Sequence, residues 1–235
     1  MQCHYDDKEF GRIIITFRRG MRRVVCRWRG GRLHLSVPFG LKPQDVVSIL
    51  EKDRAKIRAL NHGEVTYHDG QVIPCFRTSL SIGTDSRLRN QILQRVNPDG
   101  TLRLLLPADA DFSNPVVKRG IGACISYLLE RAASRYLLPF AQEEARRLGL
   151  NPLWFEIGRG KTKLGHCTPQ RVIQLSRFLM LMPEPLVRYV VCHELAHLTH
   201  MDHSPAFHAL LDEYLDGHRT ELEWQIDHFE WPIER

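Results

Sequence analysis

The chain has 235 residues, 43% hydrophobic and 26% charged, with a formal net charge of +6. That balance is a globular protein's and excludes a disordered tail, a collagen-like repeat and a membrane span, since the longest apolar stretches, such as 178–182, fall far short of the roughly 18 residues a spanning helix needs. The charge is uneven: residues 1–60 hold 14 Lys and Arg against 6 Asp and Glu, and the rest 19 against 21, so a basic head precedes a nearly neutral body and suits an anionic partner.

The first ten residues carry no apolar run of a signal peptide. The six cysteines include no Cys-x-x-Cys pair, which argues against a zinc ribbon or a thioredoxin-like site, and the lack of an export signal predicts reduced thiols in a cytoplasmic protein. Residues 12–38 read as β-structure. Ile13–Phe17 is mostly apolar, Val24, Cys26 and Trp28 alternate with Val25, Arg27 and Arg29, and Leu33, Leu35 and Val37 alternate with His34 and Ser36. Gly30-Gly31 suits a tight hairpin turn, and Pro43 fits the first turn of a helix with Val46, Ile49, Leu50, Ile57 and Leu60 on its apolar side.

Strand patterns resume over 64–106. Asp69-Gly70 predicts a hairpin between Val65–Tyr67 and Val72–Phe76, and Asn97-Pro98-Asp99-Gly100 a turn before Leu102–Leu106. Helical sequence runs from Pro115 to about Leu148, with Pro139 expected to kink or split it. Strands follow at Leu153–Ile157 and Arg171–Leu175, separated by a basic turn at 158–163. A helix opens at Pro183 and Pro185 and is expected to reach about His200; another opens at Ser204-Pro205, and the acidic tail from Thr220 reads as helical. No internal repeat or low-complexity segment is evident. The class is α+β: a basic, β-rich part over 1–110, then a helical domain with a small sheet over 111–235.

The chemistry-bearing stretch is His193-Glu194-Leu195-Ala196-His197, an HExxH motif. Residues four apart on a helix lie about 40° apart around the axis and about 6 Å along it, so both imidazoles can reach one metal with Glu194 beside its water as general base. A catalytic zinc takes three protein ligands. His200 lies about 4.5 Å further along a continued helix than His197, too far to share the metal. Ser204-Pro205 starts a new helix, so the chain must leave the first around Met201–Asp202, and that turn can return His203 to the metal. The spacing therefore selects His203.

His193-Glu-Leu-Ala-His-Leu followed by His203-Ser-Pro-Ala-Phe207 resembles the YgjP-like metal-dependent hydrolases, a zincin group related to SprT-like proteases. Tyr189-Val-Val before the motif fits it, as do Lys161-Thr-Lys-Leu-Gly-His-Cys167, similar to the family's Lys-Thr-Arg-Trp-Gly-Ser-Cys, and the pattern of 33–60. Leu164 and His166 depart from it. The resemblance, over about 12–216, implies a zincin-like domain with Zn²⁺ on His193, His197 and His203, Glu194 as general base, and a peptide or protein substrate. It leaves Lys161, Lys163, Arg188 and Tyr189 open as oxyanion partners, and makes Arg171–Leu175 the candidate strand for pairing an extended peptide. His166 reads as a surface loop residue, and Cys167 as packed.

The basic head carries Arg18, Arg19, Arg22, Arg23, Arg27, Arg29 and Arg32 with Trp28 among them. Such a ribbon suits a nucleic acid or a nucleotide, or else a solvated face paired with acidic residues such as those of the C-terminal tail. Three functions therefore stand at this point: a zinc peptidase, a metal-dependent hydrolase of a nucleotide or other phosphoanhydride, and a nucleic-acid-binding protein with a structural metal. No membrane partner is expected.

Overall fold

In the computed structural model, residues 2–29, 32–59, 65–160 and 163–233 are described, and they form two compact units that divide after Val65. Among the described residues, eight strands lie before 108, together with one helix, and three more strands follow among the helices after 115. The compact units divide earlier than the boundary expected near 110, because the strands of 66–107 pack with the helices that follow them. The Gly30-Gly31 turn and the centre of the 158–163 turn lie outside the described residues. No helix among the described residues is long and apolar enough to cross a membrane.

The first unit is a four-stranded sheet with one helix. Strands β1 (Gln2–Asp7), β2 (Gly11–Arg18), β3 (Val25–Arg29) and β4 (Arg32–Pro38) lie in the order β1-β2-β4-β3 and helix α1 spans Pro43–Ala59. The central pair β2–β4 is parallel and both outer pairs are antiparallel. Alternation aims Ile13, Ile15, Leu33, Leu35 and Val37 at one face, where Val46, Leu50 and Ile57 of α1 close over them. Trp28 belongs to this core face: its Nε1–H donates to the Ile57 carbonyl at 3.0 Å and its ring meets Phe10 edge-on. The sequence sets it between arginines; alternation places it on the face opposite Arg27, and its pairing with Leu33 makes that face the inner one.

Asp7 closes this core. It is buried, accepts the backbone N–H groups of Glu9 and Phe10, and receives both terminal nitrogens of Arg54 at 2.7 and 3.0 Å. Arg54 also meets Glu51, while Arg58 takes Glu9.

The second unit begins with a sheet of the same design. Strands β5 (Val72–Cys75), β6 (Thr78–Asp85), β7 (Leu93–Val96) and β8 (Leu102–Pro107) lie in the order β5-β6-β8-β7, with β6–β8 parallel and the outer pairs antiparallel, followed by helix α2 (Pro115–Ala132). Leu33, Leu35, Val37 and Pro38 of β4 correspond to Leu102, Leu104, Leu106 and Pro107 of β8, all the apolar ones among them except the prolines being buried. The two sheets share strand order and the register of the central parallel pair, while their connecting turns differ in length, so the sequence itself shows no repeat. Val65–Tyr67, expected as a strand, is not one. The His68 N–H is taken by the Gln71 side chain, and β5 pairs forward with β6 through a turn in which Arg77 adopts φ 56°.

Helix α2 continues through a π-helical turn at 133–137 into α3 (Leu138–Arg147), so the disruption expected of Pro139 is absorbed as a wider turn just before it. Gly149, at φ 68°, ends α3: Leu150 N–H reaches Ala145 and Gly149 N–H reaches Arg146. A second sheet holds β9 (Trp154–Gly158), β10 (Gly165–Cys167) and β11 (Val172–Ser176) in the order β10-β11-β9. After a 3₁₀ turn at 177–181 come α4 (Glu184–Ala196), α5 (Pro205–Tyr214) and α6 (Arg219–Asp227).

Arg54 holds the Asp7 carboxyl well below the usual carboxylate range, chiefly through the side-chain hydrogen bond and against the effect of burial. A depressed folded-state pKa gives stability that is full above the unfolded carboxylate pKa, near 4, and drains away as pH falls through and below that value. Arg54→Gln should therefore lower the denaturation midpoint at neutral pH and flatten its decline between about pH 5 and pH 2. Denaturant titrations of both proteins at several pH values measure this.

Candidate metal centre

Helix α4 is a buried support for the motif. Leu186, Val187, Val190, Val191, Leu195 and Ala196 are all buried, which fixes the rotation of His193 and His197 about the axis. The helix ends at Ala196, one turn before the expected end near His200. Its last carbonyls are satisfied by tightened bonds, Leu198 N–H to Leu195 and Thr199 N–H to Ala196, with His197 as the C-cap. The chain thus turns away at 197–199 rather than at Met201–Asp202, and the reversal brings His203 back. Ser204 then caps α5, its hydroxyl accepting the Phe207 N–H, with Pro205 in the first turn, as the sequence predicts.

The result is a cluster of imidazoles. One ring nitrogen from each of His193, His197 and His203 lies within 4.8 Å of the other two, and the Nε2 atoms of His193 and His203 are 3.1 Å apart. His197 Nδ1–H donates to the His200 carbonyl at 2.9 Å, which fixes the tautomer and leaves Nε2 as the lone-pair atom. His200 serves through its backbone, not its ring. Phe207, fully buried, is the platform: its ring stacks on His197 at 4.6 Å between centroids and meets His193 and His203 edge-on at 5.0 and 4.9 Å.

Burial, and then the neighbouring His197, His203 and His208, push the His193 pKa down to about 4; burial also lowers that of His197. Both rings are therefore neutral near pH 7, the form that binds cations. Glu194 is 5% exposed, and burial pushes its carboxyl up to about 8, against the opposing pull of the Cys167 N–H and of Lys163.

The strand β10 explains how a buried carboxylate is held there. Bonds from Thr168 N–H to Val172 and from Ser176 N–H to Leu164 set the phase of the β10–β11 hairpin. His166 therefore bonds to β11, while the backbones of Gly165 and Cys167 point away from it. Glu194 takes the Cys167 N–H on that outer edge. It lies so close to Gly165 that a Cβ there would overlap its carboxylate. Sequence reasoning missed both backbone roles. The kept Gly165 and Cys167 of the 161–167 segment were the available signal.

Val172–Ser176, which includes most of the strand proposed for peptide pairing, lies between β10 and β9, so both its edges are taken and β10 is the edge beside the site. His166 is an exposed residue of that edge strand rather than of a loop, near enough that its charge disfavours protonation of His197. Arg188 is engaged by Glu144 and Glu184 and lies over Phe140, while Lys163 is exposed and Lys161 lies outside the described residues. Tyr189 is buried with its ring 6.0 Å from His193, and its hydroxyl is pushed up to about 12, mainly by burial. Cys167 is buried and its thiol pKa raised, the state of a packed thiol.

Two imidazoles from a helical HExxH, a third returning by a chain reversal and a buried glutamate between helix and strand edge define a site of the metal-dependent hydrolase class. The chain belongs to the YgjP-like family: a family model described as the YgjP-like metallopeptidase domain matches residues 22–225. Comparison with curated proteins and with solved structures gave no match.

Phe207→Ala should remove about 3–5 kcal/mol of stability through the cavity it leaves and loosen all three rings. Phe207→Leu, which refills most of the volume, should recover much of the loss. Thermal denaturation of the two variants measures the difference.

Proposed function

We propose that this protein is a zinc-dependent peptidase of zincin type, with His193, His197 and His203 as ligands and Glu194 as general base. The observation that carries the reading is the convergence of three imidazole nitrogens on one point, with His193 and His203 Nε2 at 3.1 Å. Zinc–nitrogen bonds of about 2.0–2.1 Å in a tetrahedral site space the donors by roughly 3.3–3.4 Å, close to the His193–His203 spacing, and the third donor lies within 4.8 Å of both. The fixed Nδ1–H of His197 on the His200 carbonyl supports the same reading, since ligating histidines commonly anchor their second nitrogen.

When bound, zinc supplies a Lewis acid for the substrate carbonyl and a water whose pKa falls toward about 7. The protein's own part is then proton handling and alignment. Glu194 takes the proton of the attacking water on its carboxylate and passes it to the departing amine nitrogen. Its raised pKa favours holding that proton, and a nearby cation moves the resting carboxylate back toward the charged form. The Cys167 N–H holds the carboxylate in place. The match to a metallopeptidase domain favours a peptide over a phosphoanhydride substrate. Glu194 sits on the strand edge rather than among the imidazoles, which leaves three ligands and an open position, unlike a closed structural site.

Metal analysis of the purified chain should give about one zinc per chain. His203→Ala should lose it and His200→Ala should keep it. The reverse outcome would remove His203 from the ligand set.

Glu194→Gln should retain zinc and the fold while peptide hydrolysis falls about 10²–10⁴-fold, because the shape stays and the base goes. Gly165→Ala should reach the same outcome from the strand side by displacing the carboxylate. Turnover by the Gln variant equal to wild type, in a preparation free of contaminating peptidase, would defeat the general-base assignment.

A further inference from the structure

The two faces of the first sheet differ in charge. The face under α1 is the apolar core. The register puts Arg12, Ile14, Thr16 and Arg18 of β2, Arg32, His34 and Ser36 of β4, and Val25 and Arg27 of β3 on the other face. His4, Ile14, His34 and Arg27 form one row across all four strands. Arg12, Arg18, Arg27 and Arg32 are exposed, and Arg22 and Arg23 are exposed in the β2–β3 connection at its end.

The carboxylates of this unit are almost all elsewhere. Asp7, Glu9 and Glu51 are held by Arg54 and Arg58 of α1. Asp45 accepts the Lys42 N–H at the start of α1, and Asp53 pairs with Lys56. Among the described residues, Asp6 is the one carboxylate on the arginine face, in an exposed pair with Arg12 at 3.3 Å that is worth little in water. Arg18, Arg22, Arg23, Arg27 and Arg32 make no ion pair within the first unit among the described residues. The helix neutralises its own side of the sheet and leaves the other positive.

We propose that this sheet face binds the phosphate backbone of a single-stranded nucleic acid. Every cation placed on it is an arginine, whose planar fork pairs two-to-two with phosphate oxygens. Among the described residues of this unit no helix or ribbon projects from the face to enter a duplex groove, and a rigid duplex would touch it along one line. A flexible strand can lie along it and bring successive phosphates to successive guanidinium groups. Trp28 is committed to the core, so the face lacks the aromatic platform on which bases stack, and recognition is through phosphates without sequence preference.

The test is fluorescence anisotropy of the full chain with three labelled probes: an oligothymidylate of about 20 nucleotides, a duplex of equal length and polyglutamate. Four phosphate contacts on a single strand give a log–log salt slope near −3, so affinity for the oligothymidylate should fall about 50-fold between about 50 and 200 mM salt. The Arg18→Gln, Arg27→Gln, Arg32→Gln triple variant should bind more weakly with the slope reduced by about 2, its circular dichroism unchanged. Tighter binding of the duplex or of polyglutamate would overturn the assignment. So would no oligothymidylate binding at low salt, or wild-type affinity in the folded triple variant.

Discussion

The buried carboxylate of Glu194 is the constraint on which the second unit depends. A charge removed from water must be given hydrogen-bond donors, or it takes up a proton. On α4 there is none to spare, because helical N–H groups are committed to their own carbonyls. The donor comes from Cys167, on a strand edge that must therefore remain unpaired toward the helix. The strand can approach because position 165 has no side chain. The phase of β10 is set in turn by its hairpin with β11, whose turn bends through Arg171 at φ 63°. One residue of slip would turn Cys167 N–H toward β11 and leave the carboxylate without a donor. Helix, edge strand and turn are in this sense one device.

The imidazoles obey a complementary logic. Three basic rings packed together are stable only if they stay neutral, and the burial that surrounds Glu194 also depresses His193 and His197. The same dry environment thus favours a neutral acid and neutral bases side by side, an arrangement that the entry of a cation reorganises. Phe207 makes the cluster possible without a polar scaffold. It fills the space beneath the rings while leaving their nitrogens free to meet. Its place follows from the Ser204 cap, which sets where α5 begins and so which residue of its first turn faces α4.

Local chemistry was legible in the sequence wherever a short-range rule decides the outcome. The HExxH spacing, the Ser204-Pro205 helix start, the alternation in β4 and β8 and the turn before β8 all follow from neighbouring residues. What could not be read depends on pairing across long separations. The pattern of Val172–Ser176 is the same whether the strand is central or at an edge, and only its neighbours β9 and β10 decide. Trp28 alternates with arginines, and only the pairing of β3 with β4 decides whether its face or theirs meets the core. Val65–Tyr67 has strand composition, but the Gln71 side chain takes the His68 N–H and β5 finds its partner downstream. The end of α4 was misplaced because the sequence around 197–200 contains no glycine or proline to mark it.

The two four-stranded sheets have a further consequence, for the path to the native state. Leu33-x-Leu35-x-Val37-Pro38 and Leu102-x-Leu104-x-Leu106-Pro107 offer the same apolar comb, at the same register, to the parallel partners β2 and β6. Each central strand reaches its partner only after an intervening strand has been laid down, so neither parallel pair forms by simple hairpin closure. During that delay either comb can occupy the other's slot, the setting in which repeated architectures misassemble. What tells the sheets apart is not the strands but their caps. The first has Asp7 and Arg54 locking sheet to helix by charge, while α2 covers the second with Ile121, Ile125 and Leu128 and runs on into α3. The ion network around Asp7 is thus a contact that ties this sheet to its own helix and that α2, with its apolar cover, does not repeat.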